Sequence, residues 1–153
     1  MKLKTSDYQG ILMGIILICI ISGALLLLTD FAGWYYAGYH YEQWGDIYFG
    51  SGILSSFLLF IMALLMFKSG YGAIKIIRDE EIDSKMLKSQ AKESQRNGII
   101  VTGITFIGGL IFVISNIIDK TEEWWLDTGF FAGIIGGIIL ILLAKLILDK
   151  MNK

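Results

Sequence analysis

Residues 129–148 read GFFAGIIGGIILILLAKLIL. The one charge in this run, Lys145, falls in its last turn, where the aliphatic stem can snorkel the ammonium to the headgroups. At about 1.5 Å rise per residue, a helix of this length crosses a hydrocarbon core of roughly 30 Å. Working outward, three similar stretches occupy residues 8–28, 47–67 and 98–118. None carries a central Asp, Glu, Lys, Arg or His. Inside hydrocarbon every backbone amide must pair within its own segment, so such stretches read as helices.

Composition agrees. The chain has 153 residues, 55% hydrophobic and 18% charged, against about 25% charged in ordinary soluble domains. Mean hydropathy is +0.65. There is no proline, one cysteine (Cys19) and one histidine (His40). These counts exclude a disulfide scaffold and a Cys/His zinc site. A net charge of −1 gives no field that would draw nucleic acid. Lys2 and Lys4 before an apolar run mimic a signal peptide, but the run is long and no small-x-small site follows it. The sequence therefore predicts an all-α integral membrane fold, a four-helix transmembrane bundle forming a single domain over residues 1–153.

Basic residues set the expected orientation. Twelve of the thirteen Lys and Arg fall in the N-terminal tail, the middle loop 68–97 and the C-terminal end. Only Lys120 falls in the outer loops 29–46 and 119–128, which carry seven acidic residues. The positive-inside rule then places both termini and the middle loop in the cytoplasm, most simply across a plasma membrane.

The two halves match in part. Trp44, Asp46, Phe49, Gly52 and Ile53 align with Trp125, Asp127, Phe130, Gly133 and Ile134 at a shift of 81 residues. This suggests a tandem parallel repeat of two-helix hairpins, with chance matching among Ile, Leu and Gly as the alternative. In each copy the Asp lies where it can cap a helix N-terminus; a paired outer site built from Asp46 and Asp127 is the competing reading.

Small residues form stripes. Gly129, Gly133 and Gly137 are spaced by four, Gly136 widens that face, and Gly10 and Gly14 repeat the spacing. Such stripes let helix backbones approach closely in lipid, either within the bundle or against another chain. The first outer loop holds eight aromatics between Phe31 and Tyr48. Trp34, Tyr35, Tyr36, Tyr39, Tyr41 and Trp44, with Trp124 and Trp125 of the second loop, form an interfacial belt or a docking surface. A cation site from His40, Glu42 and Asp46 has little to recommend it. In the middle loop Gly70 and Gly72 mark a break, and residues 79–96 have helix-forming composition. That helix is expected to run on towards the third span, interrupted or eased near Gly98. Lys85, Lys88, Lys92 and Arg96 then share a face, suited to anionic lipid headgroups or a cytosolic partner.

No catalytic motif, cofactor signature or metal-ligand spacing is present. Two functions remain. One is a non-catalytic membrane subunit or scaffold, assembling with other subunits or copies of itself through Gly-rich faces and docking through the outer loops. The alternative is a homo-oligomeric channel or small-solute or cation transporter, lined by Ser55, Ser56, Thr102, Thr105 and Asn116.

Overall fold

The computed structural model describes residues 2–36, 39–44, 58–79, 81–121 and 123–152. Four long helices dominate: α1 (Gln9–Leu28), α2 (Leu58–Ile77), α3 (Ser84–Ile118) and α4 (Thr128–Met151). All four are long and apolar enough to cross a membrane. Five short strands join their ends: β1 (Lys2–Lys4), β2 (Asp30–Tyr36), β3 (Tyr39–Trp44), β4 (Glu81–Asp83) and β5 (Glu123–Leu126).

Around the bundle, α1 packs between α2 and α4, and α3 closes the ring between α4 and α2. Leu12, Ile15, Leu26, Leu59, Met62, Met66, Val101 and Leu140 fill the interior. The outer surface is apolar too, with Leu17, Ile21, Phe60, Leu64, Ile99, Phe106, Ile135 and Leu142 all exposed. Helices that are apolar on every face require an apolar surround.

Several expectations change. The second long helix is described from Leu58 to Ile77, so it continues past the expected end at Phe67; residues 45–57, with the expected start of the span and most of the first repeat segment, lie outside the described residues. Gly70 and Gly72 do not break it. A Cβ on Gly70 would lie 3.0 Å from the Cys19 Cβ, and one on Gly72 would strike the Gln90 amide. Both glycines are points of close helix approach. The helix therefore continues through Lys68 and Lys75. Its described part packs on α1 with Phe67 over Gly23 and Gly70 against Cys19. The supposed loop 68–97 shrinks to a short link through β4, and α3 runs 35 residues without interruption at Gly98. At about 1.5 Å per residue that is roughly 52 Å.

The outer loops are not plain loops. β2 is the centre of a three-stranded antiparallel sheet in the order β3-β2-β5. The Asp127 N–H donates to the Phe31 carbonyl at 2.9 Å, continuing the tie between the two hairpins. At the opposite end β1 pairs antiparallel with β4. The bundle is thus laced at both ends by backbone ladders that hydropathy does not signal.

Candidate functional site

At the sheet end, Trp34 and Trp124 face each other across β2 and β5. Both set their rings edge-on to Phe112 of α3, at centroid distances of 6.0 and 6.4 Å. Phe112 is buried. Edge-to-face geometry suits the ring quadrupoles, so this stack anchors the sheet on α3. Phe31 packs on Phe130 in the same way, at 5.7 Å. Trp125 lies over Gly33, where a Cβ would come within 2.6 Å of its ring. Tyr39 points outward and is 69% exposed. The backbones of Tyr35, Tyr36, Tyr41 and Trp44 lie in β2 and β3; their side chains are outside the described part, as is Asp46.

Asp127 is the N-cap of α4. Its carboxylate accepts from the Thr128 N–H at 2.6 Å and from the Trp125 indole N–H at 3.3 Å. Both oxygens are engaged in fixing the start of the helix. The capping role read from the sequence is therefore present.

The glycine stripe of α4 faces its own chain. A Cβ on Gly133 would strike Thr105, one on Gly137 would strike Thr102, and one on Gly136 would strike Ser22. A Cβ on Gly129 would stand 2.8 Å from the Asp30 carbonyl oxygen. Gly136 widens the small face because α4 has a second neighbour, α1. On α1, Gly14 meets Leu143 and Gly10 opens on empty space.

Of the proposed pore residues, Thr102, Thr105 and Asn116 are described, all three on α3. The Thr105 hydroxyl donates to the Val101 carbonyl at 2.7 Å, and Asn116 to the Phe112 carbonyl at 2.9 Å. Thr102 sits against Gly137, its buried hydroxyl without a hydrogen-bond partner in the structure. Ser55 and Ser56 lie outside the described residues.

A polar seam between α2 and α3 escaped the sequence reading. The Asn97 amide donates to the Ser69 hydroxyl at 3.0 Å, and the Gln90 amide to the Ser69 carbonyl at 3.1 Å. Ser94 is buried beside them and accepts from Gln90 at 3.3 Å. Outside this network Lys68 pairs with Glu93 at 2.6 Å, the two side chains 61% and 29% exposed. The signal was there: Gln90, Ser94 and Asn97 recur at helical spacing opposite the small run Ser69-Gly70. Lys85, Lys88, Lys92 and Arg96 are all exposed, as their spacing implied.

At the base, where β1 meets β4, the Thr5 hydroxyl donates to the Asp79 carbonyl and the Lys150 ammonium to the Asp7 carbonyl. Lys150 also sits 5.1 Å from the centre of the Tyr8 ring. Burial, aided by the charge of Asp7, raises the Tyr8 phenol above its ordinary pKa. A cleft of about 450 Å³ opens beside this clamp. No group of three or more potential metal ligands occurs among the described residues.

No protein-family model matches the chain, and neither a curated protein nor a solved structure matches it.

Proposed function

We propose that the chain is a non-catalytic, multi-pass integral membrane subunit or scaffold with both termini cytoplasmic. It docks to a membrane protein partner through the aromatic sheet at its outer end. The observation that carries this reading is the β3-β2-β5 sheet, fastened to the bundle through Trp34, Trp124 and Phe112. It offers two edge strands, β3 and β5, and an outward Tyr39. A rigid, aromatic, edge-bearing surface is suited to adding a partner's strand or burying its apolar side chains. The exposed row Lys85, Lys88, Lys92 and Arg96 complements anionic headgroups on the inner side.

Assembly through the α4 glycines has less support, because neighbours in the same chain already fill that face. The channel reading has less support as well, since Thr105 and Asn116 bond carbonyls of their own helix and Thr102 packs on Gly137.

The test is native mass spectrometry of the protein extracted from its own membrane in mild detergent, beside the Tyr39→Asp variant. A distinct protein held at fixed stoichiometry, and lost from Tyr39→Asp, is the expected result. A lone 17.1 kDa species from the native membrane would overturn the reading. A closed ring of identical copies indifferent to Tyr39→Asp would favour the channel.

A further inference from the structure

We propose that the cleft at the base binds the headgroup of a bilayer lipid whose phosphate diester carries a primary ammonium. The inference rests on the membrane reading above and assigns one ligand to one site. The cleft opens where α1 begins and α2 ends. In a membrane-spanning bundle that is the depth of the headgroups. Its walls come from segments far apart in sequence, held by the β1–β4 ladder and by the Thr5 bond to Asp79. Its shape is therefore set by the fold and not by one loose loop. Its volume of about 450 Å³ lies within the roughly 300–1,000 Å³ of small-molecule sites.

Charge selects the ligand class. Lys4 and Arg78 line the cleft together with Asp79 and Glu81, two cations against two carboxylates. The Lys4, Arg78 and Asp79 side chains make no ion pair or hydrogen bond among the described residues. A bare anion would meet the carboxylates, and a bare cation would meet Lys4 and Arg78. A ligand carrying both signs satisfies each, with its phosphate on Arg78 and Lys4 and its ammonium on Asp79. Gln9 adds an amide donor from the first turn of α1. No side chain caps that turn, so its N–H groups and the positive end of the helix dipole strengthen the phosphate side. A primary ammonium donates charge-assisted hydrogen bonds to a carboxylate, whereas a quaternary one cannot. Among the described residues no aromatic ring lines the cleft to cage a quaternary group in its place. Ile77 gives the cleft an apolar lining residue against which the start of an acyl chain can lie.

The experiment loads the detergent-purified full chain with phosphatidylethanolamine, phosphatidylcholine or phosphatidylglycerol and counts retained lipids by native mass spectrometry. Phosphatidylethanolamine should be retained about tenfold over the other two, and Arg78→Gln and Asp79→Asn should each lower its retention about tenfold, the scale of one lost hydrogen bond to a charged group. Lys88→Gln, on the outer basic row, should leave it unchanged. Equal retention of the three lipids overturns the proposal. So does a preference for phosphatidylglycerol that disappears in Lys88→Gln. Glycerophosphoethanolamine, the same headgroup without acyl chains, should compete only weakly; competition equal to that of the intact lipid would make the ligand a soluble metabolite and overturn the lipid assignment. Resistance of the protein to alkaline carbonate extraction reads the membrane placement separately. Loss of that resistance sinks the membrane reading, while unselective lipid retention by a resistant protein sinks the headgroup site alone.

Discussion

Helix α3 meets its two neighbours by different means. Towards α4 the contacts are made at glycine backbone on one helix or the other: Gly98 lies against the Gly137 carbonyl, Thr105 seats on Gly133, and Phe130 covers Gly109. Towards α2 it offers side chains: Gln90 and Asn97 donate to Ser69 and its carbonyl. In the membrane proposed above as their solvent, the difference has a physical cause. Lipid tails are as apolar as leucine, so apolar area alone does not drive two helices together. Close van der Waals approach is one remaining source of attraction, and interhelical hydrogen bonds are the other. The α3–α4 contact uses the first along its length. The α2–α3 contact uses the second around Ser69, where Lys68 and Glu93 add an ion pair on the outside.

That contrast can be broken. Gly98→Ala should have the largest effect, because its new Cβ would stand 2.8 Å from the Gly137 carbonyl, a backbone atom that cannot step aside. A loss of about 2–3 kcal/mol is expected, read by reversible unfolding in mixed micelles. Gly72→Ala is its control. The obstacle there is the mobile end of Gln90, so the loss should stay near 1 kcal/mol, the worth of the hydrogen bonds Gln90 gives up. Equal losses at the two glycines would refute the distinction between a backbone seam and a side-chain seam.

Smaller changes sharpen it. Asn97→Leu removes both the donor to Ser69 and its polarity; about 1 kcal/mol should be lost, towards the upper part of the range for interhelical bonds in membranes. Asp127→Ala uncaps α4 and frees the Trp125 indole, again at about 1 kcal/mol, with a change in tryptophan fluorescence that Asn97→Leu should not produce. Lys68→Met should cost least, under about 0.5 kcal/mol, since the pair it breaks with Glu93 is mostly open to its surroundings. A large loss at Lys68 would place that ion pair among the contacts that hold the bundle.

The sequence by itself determined four apolar helices, because hydropathy and length depend only on local composition. It determined the cap at Asp127 and the shared face of Lys85, Lys88, Lys92 and Arg96, because helical spacing and a short-range hydrogen bond decide both. It marked the small stripe of α4 but not its neighbours. Only the tertiary structure decided that Gly133 and Gly137 meet α3 while Gly136 meets α1. The end of α2 was also beyond local reading. Its most apolar stretch suggested a stop at Phe67, yet Gly70 seats against Cys19 and Gly72 against Gln90, and the helix continues to Ile77. Strand pairing was hidden for a related reason. β2 and β5 lie some ninety residues apart, and their ladder forms only once the helices have brought the two outer connections together. Hydropathy reports what each segment requires of its solvent; which segments become each other's solvent is settled by packing.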